Sequence, residues 1–161
     1  MAIEYFLKLD GITGEAAASK HSGEIEIYSW SWGASNPANI HGTGMSSGKV
    51  SFSDMSISKP TDKASAKLLE LTCTGKHIAT GTLSCAKSTG DKNPVDFLTI
   101  KLEEIAITSV QHGGSSGNDI GSESVSLAFG KFELDYKVQG KDGTQVAAGT
   151  VKYDLFAREQ S

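Results

Sequence analysis

Long hydrophobic runs are absent from this 161-residue sequence: no stretch approaches the ~18 apolar residues of a membrane-spanning helix. The opening segment, MAIEYFLKLDG, carries acids at Glu4 and Asp10, so it reads as neither a secretory signal nor a membrane anchor. The chain is expected to be made in the cytosol, with any export by a route that reads no N-terminal signal. Lys/Arg blocks are missing too. With a net charge of −4, the chain offers no phosphate-neutralising patch, which disfavours nucleic acid as a partner. There are only two cysteines, Cys73 and Cys85, with no paired Cys or His nearby to suggest zinc. They read as small buried apolar residues of a reducing compartment, a disulfide between them being the less favoured alternative.

Catalytic signatures are equally scarce. GTGMSSGKV resembles a phosphate loop, but Thr43 stands where its first glycine belongs. Lys49 is followed by Val50, and the loop leads into a strand. Serine-hydrolase chemistry needs a Ser on a strained strand-to-helix turn of the G-x-S-x-G type, which is not expected here. His21, His41, His77 and His112 are isolated in sequence. Asp54, Glu103 and Glu104 read as exposed strand carboxylates. DKNPVD and GNDIG lack the spacing of a calcium loop. No enzyme activity, cofactor or metal is expected.

Glycine is abundant, 18 residues or about 11%, against an average of ~7%. With only three prolines, this points to turns and bulges rather than low complexity. Period-two alternation marks strands over 3–9, 24–32, 49–58, 80–88, 95–110, 122–138 and 150–156. One helix is expected over about 62–73: Pro60 precedes it, Thr61 or Asp62 caps it, Ala64, Leu68 and Leu71 share a face, and Gly75 ends it. GKDG (140–143) reads as a hairpin turn and STGDKNP (88–94) as a turn. The stretches 33–48 and 112–121 read as long Gly/Ser loops. The predicted fold is all-β with one short helix: a small antiparallel β-barrel of two sheets, in one domain over residues 1–161.

Several strands change hydrophobic phase. In EIEIYSWSWG, Ile25 and Ile27 fall on one face, and Tyr28, Trp30 and Trp32 on the other. Similar flips occur between Phe52 and Met55, at Phe97–Leu98, between Leu102 and Ile105, and at Gly130–Lys131. Two explanations are open: bulges that bend long strands so that one strand serves two sheets, or a second apolar surface that meets another chain. Large aromatics bury on the order of 150–250 Å² each, so Trp30 and Trp32 must be covered by the barrel or by a neighbour. One face of 24–32 is expected in the core, the other under the helix, a loop or another subunit.

The order of motifs resembles the haemolysin-coregulated proteins (Hcp), inner-tube subunits of bacterial type VI secretion systems. The matching strings are Phe6–Leu9, Gly14-Glu15-Ala16, Lys20-His21 and Trp30-Ser31-Trp32-Gly33. GKVSFSDMSISKPTDKASAKL, Thr108–Gly117 and ESVSLAFGKFELDY follow in the same order, so the resemblance covers essentially the whole chain. It implies a hexameric ring, rings stacked into a tube, a contractile sheath and baseplate around it, the spike protein VgrG at its tip, and small secreted effectors carried in the lumen. It also implies a route from the bacterial cytoplasm to the exterior without a signal peptide, and no membrane insertion. The chain stops just past its last strand, so no fused toxin domain is expected. On this reading Trp30, Trp32, Asn36, Ile40, His41 and Met45 are candidates for subunit or ring-stacking contacts, and Ser115, Ser116 and Asn118 for the lumen. The competing readings are a ligand- or carbohydrate-binding barrel that stacks sugars on Trp30 and Trp32, and a hydrolase.

Overall fold

The computed structural model describes residues 2–37, 48–88, 94–117, 120–139 and 144–157. The alternating segments form strands β1 (Ala2–Leu9), β2 (Ile25–Ile27), β3 (Ser29–Ser31), β4 (Ala34–Ser35), β5 (Ser51–Phe52), β6 (Met55–Pro60), β7 (Ile78–Ser88), β8 (Val95–Gly113), β9 (Ser122–Ala128), β10 (Lys131–Gln139) and β11 (Gln145–Asp154). All pairings are antiparallel. One sheet runs β2-β1-β7-β8-β10-β11 and the other β8-β9-β6-β3, with β4 and β5 as a separate ribbon. The predicted two-sheet architecture is therefore present. The 19-residue β8 belongs to both sheets: Leu98–Glu103 face β10 and Ala106–Gly113 face β9. Among the described residues the sheets do not close by hydrogen bonds. Instead β2 and β3, one from each sheet, are joined covalently through Tyr28.

That junction resolves the first phase flip. Ile25 and Ile27 are buried, Tyr28 and Ser29 both face outward, and Trp30 and Trp32 turn back against the same core. The strand does not bury two faces, as the sequence reading held. One additional outward residue at the change of sheet re-aims both apolar sets inward. The other flips have the same cause. The β7–β8 register shifts beside Phe97, and the chain leaves β5 for β6 at Ser53-Asp54. Glu103 and Glu104 both point out between buried Leu102 and Ile105. Opposite them, Gly130 donates its N–H to the carbonyls of Glu103 and Glu104, at 2.9 and 3.1 Å, between buried Phe129 and Phe132. Both strands thus turn the corner together.

The helix, α1 (Ser65–Thr74), begins and ends slightly later than predicted. The Asp62 carboxylate accepts from the Ala64 N–H (2.9 Å) and Ser65 Oγ from the Asp62 N–H (2.9 Å), a reciprocal cap before the first turn. Gly75 ends the helix at φ 70°, its N–H on the Leu71 carbonyl. Ala64, Leu68 and Leu71 are buried against the barrel as their spacing required. The two predicted turns lie largely outside the described residues (89–93 and 140–143). The expected loop at 33–48 begins with a short strand, Ala34–Ser35, paired with Ser51–Phe52, and its stretch 38–47 lies outside the described residues.

Two buried polar clusters tie the layers together. His21 stacks flat on Phe6, with centroids 4.4 Å apart, and its ring nitrogens meet Glu24 (3.0 Å) and Asp96 (2.8 Å). Gly14 lies against the same segment; a Cβ there would come within 2.4 Å of the Glu24 carbonyl oxygen, which gives the Gly-Glu-Ala turn its physical reason. Deeper still, Lys59 is wholly buried and donates to Glu123 (2.7 Å), the Pro60 carbonyl (2.8 Å) and Asp62 (2.9 Å). His112 is the cross-strand neighbour of Glu123, and its Nδ1 lies 3.2 Å from Oε1, out of line for a hydrogen bond.

Candidate functional site

The β10–β11 hairpin carries an unfinished apolar surface. Phe132, Leu134, Tyr136 and Val138 share the core-facing phase of β10, opposite Tyr153, Val151, Gly149 and Val146 of β11. Phe132 is buried, Leu134 half-buried, and Tyr136 and Val138 are 40% and 42% exposed. Across the hairpin, Val151 and Val146 are 48% and 52% exposed. The apolar face therefore starts inside the core and overhangs its end. At its base a groove of about 770 Å³ is lined by Val50, Phe52, Phe132, Val151, Tyr153 and Leu155. Among the described residues β11 is also a sheet edge, paired on one side alone. Such an edge is a template for association unless something covers it.

The outer face of the same hairpin is the opposite in character. Lys131 lies 3.6 Å from Asp154 and 4.0 Å from Glu103, and Lys152 lies 3.8 Å from Glu133. N–H groups of Ala157 and Phe156 donate to Asp154 and, with Lys131 beside it, hold that carboxyl below the usual range. A second apolar spot lies at the far side of the first sheet, where Ile3 (51% exposed) and Tyr28 (58%) flank a small cleft beside Glu4 and Glu26.

The residues singled out from the sequence are scattered. Trp30 stands edge-on to Tyr5 at 6.3 Å, and Trp32 sits among Phe52, Phe129 and Phe132 at 4.9–6.4 Å. Their rings are therefore half-buried and engaged by the chain's own core, not laid out as the open platform that sugar stacking needs. Asn36 is exposed at the lip of the groove. Ser115 and Ser116 are exposed between β8 and β9. Ile40, His41, Met45 and Asn118 lie outside the described residues.

Two strings, 44–48 and 113–117, do spell G-x-S-x-G; the second follows β8 and precedes β9, without the helix that the nucleophile turn requires, and 44–47 lie outside the described residues. Among the described residues no three metal-ligating side chains cluster. Cys73 and Cys85 are both free. Cys73 is exposed, contrary to expectation, because it lies on the outer side of the helix, whereas burial pushes the Cys85 thiol up to about 11. The overhanging valines and the Lys59–Glu123 pair went unread. A Lys in a strand alternation looks like an outward residue until its partners are known.

The Hcp family profile, described as type VI secretion system effector, Hcp, matches residues 6–136. The chain belongs to the Hcp family. Protein hcp1 of Pseudomonas aeruginosa is 38% identical over 160 residues, spanning 99% of this chain and 98% of that protein. A solved type six secretion system protein superposes with a TM-score of 0.92 at 27% identity, covering 99% of this chain and all of the other. Hcp1 from Salmonella typhimurium superposes at 0.77 with 31% identity over the full length of both chains. The role implied by the sequence resemblance, a type VI secretion tube subunit, goes with this membership. No described helix is long and apolar enough to cross a membrane.

Proposed function

We propose that this Hcp subunit closes into a hexameric ring by heterologous contacts, and that rings stack into the tube that a contractile sheath expels behind a VgrG spike. The carrying observation is the overhanging face of β10–β11: Tyr136, Val138, Val146 and Val151 continue a core that the described residues do not complete. A head-to-tail ring needs two different, complementary surfaces on each subunit. The β11 edge, with Val146 and Val151 on its inner face and Lys152 on its outer one, supplies one. The spot around Ile3 and Tyr28, with Glu4 and Glu26, supplies an acidic and apolar counterpart. Asn36, Ile40, His41 and Met45, on the segment between β4 and β5, serve contacts beyond the barrel. Trp30 and Trp32 contribute indirectly by fixing the core beneath.

The polar loop with Ser115, Ser116 and Asn118 faces the lumen, where small hydroxyl side chains admit small effectors without gripping them. The role is structural rather than catalytic, and the route is from cytoplasm to exterior through the tube. Native mass spectrometry of Val146→Asp and Val151→Asp variants tests the interface. Rings that persist unchanged with both charges in place would count against it.

A further inference from the structure

Six described positions have positive φ. Five are glycine, and the sixth is Glu104, at φ 54°. A left-handed backbone is disfavoured for an L-residue with a bulky side chain, and sites that keep such strain are candidates for function. Glu104 sits on the outside of the corner where β8 passes from one sheet to the other, opposite Gly130. The conformation itself is needed, because it turns the strand and allows Leu102 and Ile105 both to enter the core. The carboxylate is not. The neighbouring acids on the hairpin side are each engaged: Glu103 and Asp154 lie near Lys131, Glu133 near Lys152, and Asp135 accepts from Thr150 at 3.0 Å. Among the described residues the Glu104 carboxylate, alone of this group, makes no hydrogen bond or ion pair. Glycine would serve the corner better, and the side chain that stands there is exposed, charged and unpaired.

We infer that Glu104 is an inter-subunit contact, its carboxylate pairing with a cationic side chain of a second copy of this chain, at the cost of backbone strain in the isolated subunit. The inference rests on the ring reading above and adds a contact which the apolar overhang does not contain. The fixed, bent corner aims the Cα–Cβ bond outward, so the carboxylate meets a neighbour from one side, its own torsions being ordered on pairing. That suits it to set register between subunits, as charges at interfaces do more readily than they add affinity.

The test compares wild type, Glu104→Gly and Glu104→Gln. Rings of each are mixed with isotopically heavy rings of the same variant, and subunit exchange is followed by native mass spectrometry at low and high salt. Thermal melts are run at a dilution where subunits are free. The Gly variant should melt higher by roughly 2–4 °C and yet exchange subunits about ten-fold faster. The Gln variant should melt like wild type and exchange faster too, with less salt dependence than wild type. Exchange at the wild-type rate in both variants overturns the contact. A Gly variant that melts no higher than wild type overturns the strain. If the wild-type protein forms no rings at all, the ring reading fails, and this inference falls with it for that separate reason.

Discussion

The two sides of this molecule treat their difficult groups in opposite ways. On the β6–β9–α1 side a lysine is buried outright, and the chain surrounds it with Glu123, Asp62, the Pro60 carbonyl and Ser65. On the β10–β11 side, valines and a tyrosine of core phase are left half in water. The first region pairs its lysine within one subunit, although Glu123 Oε1 accepts no hydrogen bond and the charges are expensive to bury. The second is cheap to form but incomplete, and no described residue covers it. The contrast separates what folds the monomer from what assembles it, and the two should respond to different mutations.

The largest effect is expected on the β6–β9–α1 side. Lys59→Ala leaves the Glu123 and Asp62 carboxylates buried without their counter-charge, which should cost on the order of 3–5 kcal/mol. That corresponds to a fall in Tm of roughly 10 °C or more. Converting the pair together, Lys59→Met with Glu123→Gln, should recover part of the loss. If Lys59→Ala melts within about a degree of wild type, the network is not holding the fold.

Next is the incomplete side. Val146→Asp with Val151→Asp should leave subunit stability within about 0.5 kcal/mol, as for other exposed positions. The same pair should weaken ring formation by about a hundred-fold or more in sedimentation equilibrium, because it places charge where an apolar contact forms. A change in the subunit's own urea midpoint would erase the distinction between the regions.

Thiol chemistry gives a smaller, sharper contrast. At neutral pH a soluble disulfide reagent should titrate Cys73 promptly. Cys85, its thiol pushed up to about 11, should react only after unfolding. Reaction of both at one rate would mean that the β7 core opens readily. The smallest effect belongs to the exposed Lys67–Glu70 pair, 3.5 Å apart on α1. Lys67→Ala should move stability by less than about 0.5 kcal/mol in a thermal melt.

Much of the fold was legible in the sequence because its signals are local. Alternation placed β1, β7 and β8 to within a few residues, read β9 and β10 as one strand with a flip at Gly130-Lys131, and Gly75 marked the end of the helix. The phase flips were legible as well, but their meaning was not. Whether Trp30 and Trp32 face a core or a neighbour depends on a single additional residue, Tyr28, at a change of sheet, and register across sheets is a non-local property. Lys59 and Glu123 are 64 positions apart and meet as cross-strand partners. Their burial follows from topology, and no local pattern announces it. The overhang was hidden for a related reason. Tyr136 and Val138 read as ordinary core residues, and nothing in the chain says where the core beneath them ends. Ser115 and Ser116 were found as exposed loop residues, whereas their place in a lumen belongs to the assembly.

If the exposed β10–β11 face is an assembly surface, charging it should take the ring apart. Native mass spectrometry of the wild-type protein beside the Val146→Asp, Val151→Asp double variant should show a wild-type species at six times the subunit mass and a folded monomer for the variant. A monomeric wild type at high concentration, or a variant that keeps the six-fold species, would contradict that role.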